Sequence, residues 1–433
     1  MSYNMNFISR FTRRCKVIAI GVFLIGFSVI LLRTRGLKIT INETVGRIRT
    51  DVSHFRINSI VSADSFKKMA TIIDPYSRYT TTEKTSQDSK HTLSAQLKSL
   101  IETNKNIYRN DLKEKQFNSK DEQELNESIE LENSDDAGIC MSMISESRIQ
   151  HDVTYFVFPF SYDPLPIDVT LLSHLTLNRG VRRIEKILAH WPGPASVSVI
   201  GTDDEVKKFL NTIHSWKRNN VGIHVVYQRN TTRYPVNFMR NVALYGANTS
   251  HIWMVDADFT PNKDAYQLLK KHIPRFDWTT TRPALVTAAL ETKLNVGGVP
   301  ENKTKLLEKL WENNRTIEAF GLTRCPHCHV NTDWHKFMTV AEVYKIQGGG
   351  YFEPYVVVQR KTSPAYDERL IARHMNKILY DYELYVLKYE FYVLPDVYIV
   401  HEPHKRINQP MSEWKCMEKI AKQIFREVDR KKS

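Results

Sequence analysis

The sequence predicts an α/β domain built on a mostly parallel sheet with helices on both faces, and two observations support this fold class. Beyond about residue 150, short β-rich runs alternate along the chain with amphipathic runs of helical length. One of these runs, HIWMV before Asp256, is almost wholly apolar, as is typical of a strand covered on both faces. Strands that alternate with helices are joined by right-handed crossovers and therefore pair in parallel.

The N-terminal part of the sequence combines a basic segment with an apolar run. Residues 1–16 are the predicted cytosolic tail, and residues 17–32 carry no charge. A helix of this length spans roughly 24 Å, near the thickness of early secretory membranes. A cleaved signal peptide has a similar core, but bulky and basic residues follow the run where small residues would mark a cleavage site. The sequence therefore predicts a transmembrane signal anchor of a single-pass type II protein, with the following domain in the lumen.

Residues 33–150 are predicted to form a lumenal stem that is largely flexible. The stretch 84–136 contains no Gly or Pro and alternates Lys, Glu, Asn, Ser and Gln. Such a composition buries too little apolar surface to offset the entropy of ordering the chain. A short apolar stripe is a candidate contact surface for a homodimer or hetero-complex. The alternative is that this segment forms a loose solvated helix. The stripe consists of Leu93, Leu97, Leu100 and Ile107.

Charge and composition narrow the class of function. The 433 residues include 61 Lys and Arg against 48 Asp and Glu, a formal charge of +13. This balance suits nucleic acid, an anionic membrane surface or an acidic substrate. The basic residues do not cluster with interleaved aromatic residues, and no nucleic-acid motif occurs, so we expect no nucleic-acid partner.

The globular domain is predicted over residues 151–433 and includes a C-terminal helix. The predicted strands are Val153 to Phe160, Asp168 to Leu172, Ala195 to Ile200, Gly222 to Tyr227, His251 to Val255 and Tyr355 to Gln359. The predicted helices are Arg179 to His190, Asp203 to Arg218 with Thr202 or Asp203 as cap, Val236 to Gly246 and Met411 to Val428. In open parallel sheets ligands bind beyond the carboxyl ends of the strands, which directs attention to the residues that follow each strand.

Two aspartates follow the apolar strand HIWMV. Asp256 and Asp258 are one residue apart, so their carboxylates lie close together on a single turn. Hard oxygen ligands in this arrangement suit Mg²⁺ or Mn²⁺ bridging a diphosphate. An Asp at the end of a strand also commonly caps the next turn, so the motif alone is a weak signal. Its place after a buried strand in a series of strands and helices favours the metal site.

The cysteines carry two alternative interpretations. Cys140, Cys325, Cys328 and Cys416 would lie in an oxidising lumen, where they are predicted to form disulfides with the pairing left open. The run Cys325-Pro-His-Cys-His329 also invites a zinc site, but no second ligand pair with suitable spacing follows. Six Asn-x-Ser/Thr sequons are consistent with a secreted glycoprotein, at Asn42, Asn126, Asn230, Asn248, Asn302 and Asn314.

Several ordered motifs resemble one glycosyltransferase family. The stretch from Tyr234 to Leu244 (YPVNFMRNVAL) and the following YGANTSHIWMVDADFTP resemble the donor-binding core of glycosyltransferase family 49, the LARGE and β-1,4-glucuronyltransferase family. Further matches lie upstream at DVTLL and WPGPASVSV, and downstream at FEPYVVV, PAYDER, Asn376-Lys377, YEFYVLP and VHEPH. The resemblance covers about residues 150 to 410.

The resemblance implies a type II Golgi membrane enzyme with a GT-A fold. Such an enzyme uses Mn²⁺ (or Mg²⁺) to move a sugar, most often glucuronic acid, from a UDP donor to a glycan acceptor on glycoproteins, with inversion. The alternatives are a β-1,3-N-acetylglucosaminyltransferase and a catalytically weak, glycan-binding relative. Carried over by position, Asp256, Asp258 and His401 are the expected metal ligands, with His404 as the alternative to His401.

The remaining candidate site residues flank the two aspartates in the sequence. Asn237 and Arg240 lie one helical turn apart and are expected to contact the diphosphate or donor sugar. Inverting transfer needs a general base for the acceptor hydroxyl, and Asp367 and Glu368 are the acidic candidates, with an ion pair to Arg369 as the alternative. Residues 370–375 (LIARHM) replace a Gly-x-Gly-like turn of relatives, which puts the acceptor geometry in doubt.

Overall fold

The computed structural model describes residues 86–130, 134–229, 231–292, 298–312, 316–404 and 409–431. These residues belong to one compact unit. The predicted cytosolic tail, residues 1–16, and the predicted anchor, residues 17–32, lie outside the described ranges. Within those ranges, no helix combines the length and the apolar character needed to cross a membrane.

A single sheet forms the centre of the molecule. Its strands are β1 (Val153–Thr154), β2 (Val169–Thr176), β3 (Ala195–Gly201), β4 (Val221–Tyr227), β5 (His251–Met254), β6 (Phe259–Pro261), β7 (Pro283–Thr292), β8 (Ile317–Ala319), β9 (Tyr344–Ile346), β10 (Tyr355–Gln359) and β11 (Glu390–His401). The strands are ordered β1-β4-β3-β2-β5-β10-β7-β11-β6, with β8 paired to β7 and β9 paired to β11.

Helices cover both faces of this sheet. They are α1 (Ser86–Glu114), α2 (Ser119–Glu130), α3 (Ser134–Ser147), α4 (Arg182–His190), α5 (Asp203–Ile213), α6 (Val236–Tyr245), α7 (Ala265–His272), α8 (Lys303–Trp311), α9 (Trp334–Thr339), α10 (Asn376–Val386) and α11 (Met411–Arg430). Apolar side chains of α4, α5 and α7 join one buried cluster, and those of α1, α6 and α10 join another on the opposite face. The predicted α/β class, with helices on both faces, is confirmed.

The sheet is mixed, so the prediction of a mostly parallel sheet is confirmed only in part: β7 and β11 pair in parallel, whereas β6, β8, β9 and β10 pair antiparallel with their neighbours. Strands β4, β3, β2 and β5 pair in parallel, as the alternation of strands and helices predicts. Beyond β5, strand β10 is antiparallel to both of its neighbours, β5 and β7. A βαβ pattern predicts only strands joined by crossover helices, whereas β10 pairs with strands far from it in the sequence. Its direction is therefore decided by tertiary contacts.

Most predicted strands and helices are present, with two shortened elements. The first predicted strand is reduced to β1, because Phe156 has a left-handed backbone with φ of 52° and interrupts the pairing. The second predicted helix ends at Ile213. At its start Thr202 and Glu205 form a reciprocal capping box, so Thr202, one of the two predicted caps, is the cap.

The structure differs from the predicted flexible stem over residues 86–147, which form α1, α2 and α3 and pack on the domain. In α1 the side chains of Ile101, Asn104 and Tyr108 are buried against the domain, whereas Ile107 of the predicted stripe is exposed. Asn104 Nδ2 donates to the carbonyl of Tyr245, the last residue of α6, at 2.7 Å and to that of Ala247, just beyond it, at 2.9 Å. Terminal carbonyls of a helix lack partners within the helix, and here a distant side chain satisfies them.

The cysteines form two disulfides. Cys140 of α3 is bonded to Cys416 of α11, which joins elements 276 residues apart, and Cys325 is bonded to Cys328 within one short turn. The prediction of disulfides is confirmed. Because both sulfurs of the Cys-x-x-Cys run are in a disulfide, this structure does not support the zinc alternative.

Residues 370–375 form a turn that uses a left-handed backbone without glycine. Ala372, His374 and Met375 have φ values of 68°, 84° and 62°. The turn is fixed by a bond from the amide of Ala372 to the carbonyl of Tyr234 at 2.9 Å and by stacking of His374 on Trp414 at 3.9 Å. The chain thus adopts a glycine-like turn with side chains that disfavour it, and surrounding contacts hold the conformation.

Candidate metal and donor site

The site lies at the end of β5, beside the last residues of its parallel neighbour β2. Asp256 and Asp258 follow β5, and the amide of Phe259 donates to the carbonyl of Asp256 at 2.9 Å to close the turn between them. Strand β6 then pairs with β11 in a register that sets His401 opposite Phe259. This pairing brings the C-terminal end of β11 beside the aspartates, about 145 residues away along the chain.

Asp258, His401 and His404 form one cluster. Asp258 Oδ2 is 3.6 Å from His401 Nε2 and 3.2 Å from His404 Nε2, and the potential ligand atoms of all three residues lie within 4.8 Å of one another. Burial disfavours the charged form of Asp258, but its bonds to the two imidazoles outweigh burial and lower its pKa below the usual range. One ionised carboxylate and two imidazoles make a donor set that fits a divalent transition metal.

Aromatic rings hold His401 in place. The ring centroid of His401 lies 5.1 Å from that of Phe259 and 5.0 Å from that of Phe320. Its Nδ1 atom is buried without a hydrogen-bond partner. The orientation of the imidazole therefore comes from packing against rings, which leaves Nε2 directed toward Asp258.

Asp256 points away from the histidines into a group of donors and cations. Its Oδ1 accepts from Arg240 Nη2 at 3.0 Å and lies 3.2 Å from His174 Nε2. Its Oδ2 accepts from the Tyr355 hydroxyl at 2.7 Å and from Lys377 Nζ at 3.4 Å. Burial disfavours the carboxylate, but the charges of Lys377 and Arg240 outweigh it and hold the pKa of Asp256 well below its usual range. The two predicted metal ligands of the motif therefore have different surroundings.

Arg240 and Asn237 occupy one face of α6, as their spacing indicates. Arg240 Nη1 donates to Asn237 Oδ1 at 2.9 Å and to Asn376 Oδ1 at 2.7 Å. Asn237 Nδ2 donates to the carbonyl of Asp367 at 2.8 Å. Asn237 is fully buried, and its hydrogen bond joins α6 to the loop that carries Asp367. It therefore holds the site in position from the buried side. Arg240 is the one of the pair that contacts the Asp-x-Asp turn.

Asp367 is engaged in a structural ion pair, so the structure does not support it as a general base. Both of its carboxylate oxygens accept from the guanidinium of Arg369, the shortest contact being 2.6 Å. Arg369 Nη2 also contacts Glu427 of α11 at 2.6 Å, which links the loop to the C-terminal helix. The ion pair with Arg369, the alternative to a general base, is therefore the arrangement observed. Both oxygens of this buried carboxylate are engaged by the guanidinium.

Glu368 lies on a different surface of the molecule. Its Oε1 accepts from Asn241 Nδ2 at 2.7 Å, and burial raises its pKa to about 7 against the opposing effect of this bond. It lines a cleft of about 1070 Å³ between α1, the end of α3 and α6. None of Asp258, His401 and His404 lines this cleft. The raised pKa suits a base, but the structure does not bring Glu368 to the metal cluster.

Comparison with known proteins now identifies the family. Residues 215–432, just over half of the chain, match the family model described as "Glycosyl-transferase for dystroglycan". The chain belongs to this glycosyltransferase family. The resemblance inferred from the motifs is confirmed, and the matched segment contains both aspartates and both histidines of the site.

Relatives within the glycosyltransferase family cover the same part of the chain. The xylosyl- and glucuronyltransferase LARGE2s of Danio rerio is 34% identical over 280 residues, which is 63% of this chain and 37% of the relative. The xylosyl- and glucuronyltransferase LARGE1 of Homo sapiens is 33% identical over 281 residues, which is 64% of this chain and 36% of the relative. The chain thus matches little more than a third of the length of these relatives.

A solved structure shows a weaker likeness. GalNAc-T7 with UDP, GalNAc and Mn²⁺ aligns at 13% identity over 60% of this chain and 48% of that chain, with a TM-score of 0.37. We base no conclusion about the fold or the ligands of this protein on a similarity with this TM-score.

The site of this glycosyltransferase contains residues that the sequence argument missed. His174 lies two residues before the end of β2 and beside Asp256, Tyr355 begins β10, and Lys377 lies in the first turn of α10. Lys377 and Tyr355 fall within motifs of the family resemblance, but the motifs alone give no reason to join them to Asp256. His174 could have been found by the rule that directs attention to the carboxyl ends of parallel strands, because β2 is the neighbour of β5.

Proposed function

We propose that this protein is a metal-dependent, inverting glycosyltransferase of GT-A fold that moves glucuronic acid from a UDP donor to a glycan acceptor on glycoproteins. The observation that carries the proposal is the convergence of Asp258, His401 and His404 beyond the end of β5, in a member of a glycosyltransferase family. The relatives are xylosyl- and glucuronyltransferases, which supports glucuronic acid as the donor sugar. N-acetylglucosamine is the alternative donor that the test below includes.

The donor set favours Mn²⁺ over Mg²⁺. Asp258, His401 and His404 would hold the ion, and two of these three ligands are imidazoles. Mg²⁺ prefers oxygen ligands and retains waters, whereas Mn²⁺ accepts imidazole more readily. When bound, the ion would supply Lewis-acid stabilisation of the charge that develops on the departing diphosphate.

The residues around Asp256 would provide fixed charge beside the metal ligands. Arg240 and Lys377 are buried, and each is held by Asp256 and by a second partner, Asn376 for Arg240 and Glu353 for Lys377. Charges fixed in this way need no reorganisation when a diphosphate binds, and electrostatic preorganisation is a large contribution in many enzymes. We assign Asp256 to orienting these cations.

The proposed location is the Golgi lumen, with the apolar residues 17–32 as a membrane anchor outside the described ranges. The two disulfides of the described domain support an oxidising compartment, since cytosolic thiols are kept reduced. The family resemblance and the length of the apolar run are the other supports for this part of the proposal.

The test is donor hydrolysis by the purified full chain, measured as release of UDP from UDP-glucuronic acid with and without Mn²⁺. Asp258→Asn is expected to lower the Mn²⁺-dependent rate about 100-fold or more, because an amide oxygen is a much weaker ligand than a carboxylate. The matched control is Asp264→Asn, an exposed residue in the same segment that lies outside the cluster. Thermal unfolding of both variants should match that of the unsubstituted protein.

Three outcomes decide the proposal. Full activity of Asp258→Asn would contradict the metal assignment. Faster release of UDP from UDP-N-acetylglucosamine than from UDP-glucuronic acid would identify N-acetylglucosamine as the donor sugar and leave the rest of the proposed reaction unchanged. Binding of Mn²⁺ and UDP without turnover on any xyloside, glucuronide or lactosamine acceptor would favour the glycan-binding relative.

A further inference from the structure

The turn Cys325-Pro-His-Cys328 has no role in the proposed glycosyl transfer, and its two sulfurs have different surroundings. Its two cysteines are bonded to each other across a separation of three residues, with Cα atoms 5.3 Å apart. Cys328 is buried at 2% exposure, whereas Cys325 is half-buried and accessible from solvent. The exposed His327 places Nε2 3.3 Å from Cys325 Sγ. One sulfur is therefore open to attack and has an imidazole beside it.

We propose that the Cys325–Cys328 disulfide is a thiol–disulfide exchange site that reacts with dithiols, small or protein-borne, through the sulfur of Cys325. A thiolate of the reductant attacks Cys325 Sγ and breaks the bond to Cys328, which leaves as a thiolate and takes up a proton. The second thiol of the reductant then displaces Cys325 from the mixed disulfide. The protein gains two electrons and two protons, and the dithiol is oxidised to its disulfide. The reverse sequence reduces a disulfide partner to a dithiol and restores the Cys325–Cys328 disulfide.

The geometry makes the two sulfurs unequal, as exchange requires. Only Cys325 is accessible to a reagent, so it is both the sulfur that is attacked and the thiolate that attacks in the reverse direction. A thiolate is stabilised by a neighbouring protonated imidazole or guanidinium. His327 is within contact distance, and Arg324 precedes Cys325 in the chain, although its guanidinium is 2.7 Å from the carboxylate of Glu291. His327 is therefore the group assigned to this role.

The second disulfide of the protein is an internal reference. Cys140 and Cys416 are 1% and 2% exposed and lie in a cluster of apolar side chains between α3 and α11. A reagent cannot reach either sulfur in the folded protein, so this bond should resist reduction. The contrast between the two bonds is measured in one sample, which removes differences in protein preparation.

The exchange site lies close to the proposed donor site. The amide of Glu353 donates to the carbonyl of Cys328 at 2.8 Å, and the carboxylate of Glu353 is 3.2 Å from Lys377 Nζ. Lys377 in turn contacts Asp256. The exchange chemistry itself does not depend on glycosyl transfer, so the test below reads the thiols and leaves transfer aside.

The first experiment treats the oxidised full chain with increasing dithiothreitol at pH 7 without denaturant, followed by acid quenching, alkylation with N-ethylmaleimide and mass mapping of peptides. We expect Cys325 and Cys328 to be alkylated at reductant concentrations at least tenfold below those that expose Cys140 and Cys416. Equal resistance of the two disulfides would overturn the proposal. So would purification of the chain with both Cys325 and Cys328 reduced and one equivalent of zinc bound.

The second experiment tests which sulfur reacts. With oxidised glutathione, Cys328→Ser should form a glutathione adduct on Cys325, whereas Cys325→Ser should form little adduct on the buried Cys328. Adducts formed at equal rates on the two variants would overturn the assignment. In the Cys328→Ser background, His327→Asn should slow adduct formation several-fold, and the exposed His335→Asn of α9 is the matched control. An unchanged rate in His327→Asn would remove the histidine from the proposal.

Discussion

Only one residue separates Asp256 from Asp258, yet their carboxylates contact different kinds of partner. Asp256 accepts from Arg240, Tyr355 and Lys377, whereas Asp258 faces two histidines. A turn between them directs one side chain into the protein and the other toward the end of β11. The motif therefore combines an electrostatic anchor with the proposed metal ligand, and the two should respond differently to substitution.

Glu368 gives a prediction about pH at the scale of one residue. Burial raises its pKa to about 7, whereas in an unfolded chain a Glu titrates near pH 4.3. Between these values the folded protein retains a proton that the unfolded chain has released, so the free energy of unfolding falls as the pH rises. The loss is of the order of 3 kcal/mol over this interval. Glu368→Gln removes the titration and keeps an oxygen to accept from Asn241.

The measurement is urea unfolding of the wild type and Glu368→Gln between pH 4.5 and 7.5. The variant is expected to become progressively more stable than the wild type as the pH rises through this range. The exposed Glu301→Gln serves as control and should run parallel to the wild type. A constant difference between wild type and Glu368→Gln across the range would show that Glu368 titrates normally.

At the scale of elements, α1 is the clearest case in which packing overrides composition. The helix is polar overall, but Ile101, Asn104 and Tyr108 are buried on one face. The hydroxyl of Tyr108 donates to the carbonyl of Arg360 at 2.8 Å, and Arg360 donates to Asn104. Polar side chains here add to the apolar contacts of Ile101 and Tyr108 with the domain. The helix is held by hydrogen bonds to the ends of other elements.

Removing these hydrogen bonds should destabilise the domain. Asn104→Ala leaves two buried carbonyls at the end of α6 without partners, and we expect the free energy of unfolding to fall by about 2 to 4 kcal/mol. Asn106→Ala, an exposed position of the same helix, should change it by less than about 0.5 kcal/mol. Urea denaturation followed by fluorescence measures both. Equal effects of the two substitutions would mean that α1 does not pack as described.

The turn at 370–375 gives a second prediction for an element. Ala372 has φ of 68°, a conformation that costs a residue with Cβ about 1 kcal/mol and costs glycine little. Ala372→Gly should therefore raise the free energy of unfolding by about 0.5 to 1 kcal/mol. Ala341→Gly, at an exposed position without positive φ, should lower it by a similar amount because glycine adds freedom to the unfolded chain. Destabilisation by both substitutions would show that the turn is not strained at Ala372.

At the scale of the whole molecule, the Cys140–Cys416 disulfide joins the N-terminal helices to the C-terminal helix. It closes 276 residues, and the cluster around it includes side chains of α2, α3, α10 and α11. Long closures restrict the unfolded chain most in the chain-entropy account. This bond therefore matters for stability, whereas the bond within the Cys325 turn closes a separation of only three residues.

The two disulfides should contribute very differently to stability. Replacement of both Cys140 and Cys416 by Ala is expected to lower the free energy of unfolding by about 2 to 5 kcal/mol. Replacement of both Cys325 and Cys328 by Ala should lower it by less, because the restricted loop is short. Calorimetric unfolding of the two double variants makes the comparison. A larger loss from the Cys325 and Cys328 pair would contradict the assignment of structural and reactive roles.

The sequence by itself determined the α/β class, the parallel half of the sheet, the start of α5 at Thr202 or Asp203 and the turn of Asp256 and Asp258. These features depend on residues that are near one another in the chain, where periodicity, caps and motif order are legible. The family followed from the order of motifs for the same reason. The pairing of His401 with Asp258 required the resemblance, because no local pattern joins them.

Only the tertiary structure decided the features that depend on contacts between distant segments. Contacts between segments far apart in sequence set the antiparallel direction of β10, the packing of α1 and the cations around Asp256. The ion pair of Asp367 with Arg369 and Glu427 gives a short segment an environment that its neighbours in sequence do not specify. Composition predicted a flexible stem because it counts apolar residues, whereas α1 packs through a few apolar side chains together with polar side chains that satisfy buried carbonyls. Such bonds leave no periodic signal, and they become visible only when donor and acceptor are seen together.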